Sequence, residues 1–120
     1  MFGKKDEKMQ PDSQYFTIYD SKVGAYRDPI LQHNSLSMVR EIELFFRKPQ
    51  NQEDSLFVNA EDYQLFKIAD FYKKSGSIVG HQPEHVANLH EIKSAVQRDI
   101  GLAQARRSTQ SQAAEHSTGH

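Results

Sequence analysis

The longest uninterrupted apolar runs in this chain are three residues, Leu44-Phe45-Phe46 and Leu56-Phe57-Val58. A membrane-spanning helix needs about 20 apolar residues and a secretory signal a core of about 7–15, so neither fits. Only 37% of the 120 residues are apolar, and the mean hydropathy is -0.76, so the core must be small. The length suits one small domain, or a smaller domain with tails. There is no cysteine. Disulfide scaffolds, thiolate zinc sites, iron–sulfur clusters and cysteine nucleophiles are therefore excluded. The formal net charge is -1, with both signs spread along the chain, which argues against a basic coat protein that condenses nucleic acid.

Patterning divides the chain into a body and two polar ends. Residues 1–14 hold Lys4, Lys5, Asp6, Glu7 and Lys8 with little to bury, and read as a flexible leader. Residues 101–120, rich in Gln, Ser, Ala, Thr and His, read as a flexible polar tail. Between them, residues 15–100 form the expected domain. Tyr15-Phe16-Thr17-Ile18-Tyr19 is β-branched and aromatic, and alternation separates Phe16 and Ile18 from Tyr15, Thr17 and Tyr19. Asn34 and Ser35 are good N-caps for a helix over Leu36–Phe46. Its residues Met38, Val39, Ile42, Phe45 and Phe46 fall within an arc of about 120°, while Leu44 lies off the stripe. Pro49 ends it. Tyr63–Tyr72 reads as a second strand, Lys73-Lys74-Ser75-Gly76 as a turn and Ser77-Ile78-Val79 as the returning strand. Pro83–Gln97 is ambiguous. A second helix over 90–104 would carry a stripe of Ile92, Ala95, Val96, Leu102 and Ala103, interrupted by Asp99. The expected fold is α+β: a small antiparallel sheet packed on one main helix, with disordered or loosely helical termini.

Residues that could carry chemistry point away from catalysis. His81 and His85 have zinc-compatible spacing, but Pro83 falls between them and no third ligand stands out; they read as polar loop histidines. Glu41, Glu43, Glu53, Asp54, Glu61 and Asp62 form no evident pocket, and read as solvated faces and turn residues. Neither Gly-x-x-x-x-Gly-Lys, Gly-x-Gly-x-x-Gly nor Gly-x-Ser-x-Gly is present. No cofactor, metal or enzymatic activity is expected. What remains is a set of rings beside cations. If Phe16 and Ile18 pack on the helix, Tyr15 and Tyr19 face the other side of the sheet, near Lys22 and Tyr26. Single-strand binders use rings as stacking platforms and cations to track phosphates. The same patch could instead be covered by a second subunit, since exposed aromatic patches often mark self-association.

Tyr19-Asp20-Ser21-Lys22, followed by Ala25-Tyr26 and Pro29, resembles the opening of the small nonstructural protein of gokushovirus-type microviruses, bacteriophages with single-stranded circular DNA genomes. A helix carrying Arg40 follows. Glu61-Asp62-Tyr63-Gln64-Leu65-Phe66 is similar to the family's acidic-aromatic lead into a strand, and Lys73-Lys74-Ser75-Gly76 stands in the place of its hairpin turn. The resemblance covers roughly residues 15–90; Ala69-Asp70-Phe71 departs from a Gly-Glu-Tyr-like run. It implies a protein made in the host bacterial cytoplasm, outside the coat, that binds DNA in genome replication or in single-strand production for packaging. It brings no catalytic residues.

The combined expectation is a non-enzymatic phage protein that binds single-stranded DNA by ring stacking and phosphate contacts. Its expected site is Tyr15, Tyr19, Lys22 and Tyr26 near the first strand, with Lys67, Tyr72, Lys73 and Lys74 near the hairpin. Lys67 shares a side with Leu65 and Ala69 by alternation, so it belongs only if that is not the helix side. The rival expectation is a homo-oligomeric or adaptor protein that binds viral replication or assembly proteins without touching DNA, through the stripe of Ile92, Val96 and Leu102. No membrane partner is expected.

Overall fold

The computed structural model describes residues 10–118, and their side chains as far as Thr109. Most of the expected leader lies outside these residues. The architecture is α+β: a five-stranded antiparallel sheet with helices on one face.

Strand β1 (Ser13–Asp20) is the centre of the topology. It ends in a turn at Gly24, whose φ of +69° favours glycine. The chain returns as two short strands, β2 (Ala25–Tyr26) and β3 (Ile30–Gln32), on the same side of β1. Asp28-Pro29 breaks them apart, as befits an edge where proline's missing N–H is harmless. Across the break the Arg27 amide donates to the Ile18 carbonyl at 2.9 Å and Thr17 Oγ1 donates to the Arg27 carbonyl at 2.6 Å. The other side of β1 pairs with β4 (Tyr63–Tyr72), and β4 pairs with β5 (Ser77–Asn88). The β4–β5 turn closes at Gly76, with φ +71°.

Helix α1 (Ser35–Arg47) starts as the sequence predicts. The Asn34 side chain accepts from the Ser37 amide at 2.9 Å, and Ser37 Oγ accepts from the Asn34 amide at 3.1 Å. This reciprocal cap satisfies two donors that the helix itself cannot. Met38, Ile42 and Phe46 are buried against the sheet, with Val39 and Phe45 at the margin. Leu44, off the stripe, is exposed. The Leu56-Phe57-Val58 patch forms a single helical turn, α2 (Ser55–Val58), capped by Asp54 and burying Phe57.

In the C-terminal third the helix expected over 90–104 is present, and it runs longer than that reading. β5 continues past Pro83 to Asn88, with register irregularities, and α3 (Leu89–Thr118) begins at once. It continues through residues expected to be a loose tail, where Ala, Gln and Arg are good helix formers. Leu89, Ile92 and Val96 are buried in the core beside α1. Asp99, which interrupts the apolar stripe, faces Arg47 of α1 and accepts its guanidinium at 2.9 Å. Lys93 donates to the Phe57 carbonyl at 2.8 Å and lies 4.4 Å from that residue's ring centroid. Thus Ile92 and Val96 are not available to a partner; of the expected docking stripe only Leu102 is exposed. None of the helices is long and apolar enough to cross a membrane, among the described residues.

Candidate nucleic-acid interface

Directly opposed residues in a sheet share a face, and consecutive ones alternate. Phe16, Ile18 and Leu65 belong to the core, so they mark the helix side. Tyr15, Thr17 and Tyr19 therefore occupy the side opposite the helices, where Thr17 is buried and the two tyrosines are partly exposed. Tyr26 stands opposite Tyr19, Phe66 opposite Thr17, and His85 opposite Phe66. These register positions bring four rings together. The Tyr19 and Tyr26 centroids are 4.8 Å apart, Tyr26 and Phe66 5.7 Å, and Phe66 and His85 5.5 Å. The last two contacts are edge-to-face, the arrangement that the ring quadrupoles favour. Tyr26 is 48% exposed. His85 is exposed too, and its Nε2 lies 2.8 Å from Asn88 Oδ1. Tyr15 lies farther along the same face, between Leu31 and Ala69.

The remaining expected residues divide by position. Lys22 lies in the β1–β2 turn, 3.4 Å from the Asp62 carboxylate but with its side chain 73% exposed. Lys73 and Lys74 are exposed at the β4–β5 turn, at the opposite end of the sheet; the Lys73 amide is held by the Asp12 carboxylate at 2.8 Å. Lys67 stands opposite Phe16 and is thus on the helix side. It lines a polar cleft with Gln14, His33, Asn34 and Asp70, and its ammonium bonds Glu84 at 2.9 Å. It does not belong to the tyrosine face. Tyr72 fails for the same reason: alternation places it with Asp70, which pairs with Gln14 on the helix side, whereas Phe71 takes the open side. In return the open face gains Phe66 and His85. Phe66 was implied by the alternation that sets it against Lys67. His85 was hidden, because Pro83 argues against a regular strand there, whereas β5 accommodates it at a register irregularity.

The Lys67–Glu84 pair has a measurable signature. The Lys67 hydrogen bond, and then its charge, hold the Glu84 carboxyl below the usual glutamate range, with a smaller contribution from His81. A folded pKa below the unfolded one means that the pair supports the fold at neutral pH and loses that effect as pH falls through the folded value. In a carboxyl NMR titration Glu84 should titrate below ordinary glutamates, and Lys67→Met should return it to their range.

What these residues define is a class: a small α+β protein that presents an aromatic sheet face, free of lysine and arginine at its centre among the described residues and flanked by lysines at both ends. No group of three or more histidine, aspartate or glutamate side chains is placed to hold a metal, among the described residues. The chain belongs to the Phage ORF5 protein family, whose model matches residues 13–92. This span takes in the whole sheet, α1 and the first turn of α3. No curated protein and no solved structure matches.

Proposed function

We propose that this phage protein is a non-enzymatic, single-stranded DNA-binding factor of the gokushovirus type, acting in genome replication or packaging in the infected bacterial cytoplasm. The observation that carries the reading is the ring cluster of Tyr19, Tyr26, Phe66 and His85 on the sheet face opposite the helices. Unpaired bases offer π-faces to such rings, whereas bases in a duplex do not. The lysines support it. β1 spans eight residues, or about 26 Å at 3.3 Å per residue, with Lys22 at one end and Lys73 and Lys74 at the other. A strand of a few nucleotides laid along β1 would meet rings in the middle and cations at each end.

Few cations imply a shallow salt dependence. Three phosphate contacts on a single strand give a slope of log K against log salt of about -2. Affinity for a labelled oligonucleotide should therefore fall about twentyfold between about 50 and 200 mM salt. Replacing Lys73 and Lys74 together by Glu should remove most of that dependence and most of the binding. Absence of binding at low salt, or binding indifferent to the double substitution, would overturn the proposal.

A further inference from the structure

We propose that two copies of this chain join edge to edge through β5, antiparallel and centred on Val79, to make one continuous sheet. β5 is the outermost strand, and among the described residues no strand pairs with its far side. The opposite edge is interrupted between β2 and β3. An unpaired edge is a template for another strand unless charge, proline or a bulge blunts it. On β5 those devices are confined to the second half: a register irregularity between Gly80 and Glu84, with Pro83 inside it. The first half, Ser77-Ile78-Val79-Gly80, has none. Ile78 is 59% exposed and Val79 50% exposed, on opposite faces of a hairpin that the described residues leave bare.

The occupant this edge fits is itself. Centring on Val79 sets Ile78 of each copy opposite Gly80 of the other. Ile78 opposes Phe71 and Gly80 opposes Ala69, so both lie on the open face. Nothing stands within 4 Å of where a Cβ on Gly80 would be, which leaves room for an isoleucine beside it. The charges agree as well. Lys74 precedes Val79 by five positions and Glu84 follows it by five, so antiparallel pairing brings Lys74 of each copy toward Glu84 of the other. The irregularity after Gly80 shortens one arm, an offset within reach of the lysine stem. Glu84 already bonds Lys67, yet its side chain remains 65% exposed. The two-fold axis is normal to the sheet, so both tyrosine faces point the same way. The pairing does not depend on the DNA reading; if both hold, the platform is doubled. So short a paired stretch falls at the small end of specific interfaces, which implies a reversible dimer.

The absence of cysteine makes the test direct. Residues opposed across a two-fold have Cβ atoms about 4.5–5.5 Å apart, close to disulfide geometry. Under mild oxidation Val79→Cys should form a covalent dimer at least about tenfold faster than Leu44→Cys, an exposed control on α1. Sedimentation of the unmodified protein should show a concentration-dependent dimer, lost in Val79→Lys, where like charges would face each other. Equal oxidation rates, or a monomer at every concentration, would overturn the proposal. Oligonucleotide binding by Val79→Lys is scored separately. If DNA binding is absent while Val79→Cys still cross-links, the dimer stands and the DNA reading falls.

Discussion

Replacing Phe46 by Ala should remove most of the stability of the fold. Phe46 is fully buried at the last turn of α1, and its ring meets Phe57 edge-on with centroids 5.4 Å apart. It therefore joins three parts of the core: α1, the short helix α2 and the sheet. Removing a buried phenyl ring costs about 3–5 kcal/mol, through lost transfer energy and the cavity left behind. Small domains have about 5–15 kcal/mol in total, and one with this little apolar content belongs near the low end. Thermal denaturation followed by circular dichroism should show the Phe46→Ala transition at least about 12 °C below that of the parent protein, or no transition at all. Leu44→Ala, two residues earlier but exposed, should shift it by no more than a few degrees. Equal effects of the two substitutions would mean that the helix packs on the sheet by a different face.

The contrast between Phe46 and Leu44 was legible in the sequence, because the helical period alone assigns them to different faces. So were the Asn34 cap, the alternation of β1 and the Gly76 turn: each is a local preference that the tertiary fold leaves in force. What escaped reading was non-local. Pro83 signals a break, yet β5 continues past it, since an outermost strand can bulge around a missing N–H. Asp99 spoils an apolar stripe until Arg47, fifty-two positions away, is seen to receive it. Ile92 and Val96 carry the same pattern whether they dock on another chain or on their own, and only the three-dimensional fold distinguishes the two. The candidate site shows the same division. Tyr15 and Tyr19 follow from period two, whereas Tyr26 needed the pairing of β2 with β1 to be placed. Lys67 and Tyr72 needed the register of β4 against β1 to be placed, and it sets them on the helix side.

Tyr26→Ala should weaken binding to a short single-stranded oligonucleotide by roughly tenfold to a hundredfold, with little change in thermal stability. A base stacked on an aromatic side chain contributes about 1–3 kcal/mol by alanine substitution, and each 1.4 kcal/mol is about a factor of ten. Tyr26 is the most informative ring in the cluster. It stands on the short outer strand β2, it is half-exposed, and it contacts both Tyr19 and Phe66. Losing it therefore opens the platform without emptying the core, which lies on the other side of the sheet. Tyr26→Phe keeps the ring and removes only the hydroxyl, so it should bind like the parent protein. The salt slope should be the same for all three, because the lysines that set it are untouched. This separates stacking from charge: Tyr26→Ala lowers affinity at every salt concentration by a constant factor, whereas the Lys73 and Lys74 substitutions change the slope. An alanine variant that binds as tightly as the parent would remove Tyr26 from the interface, and with it the proposed route of the strand across β2.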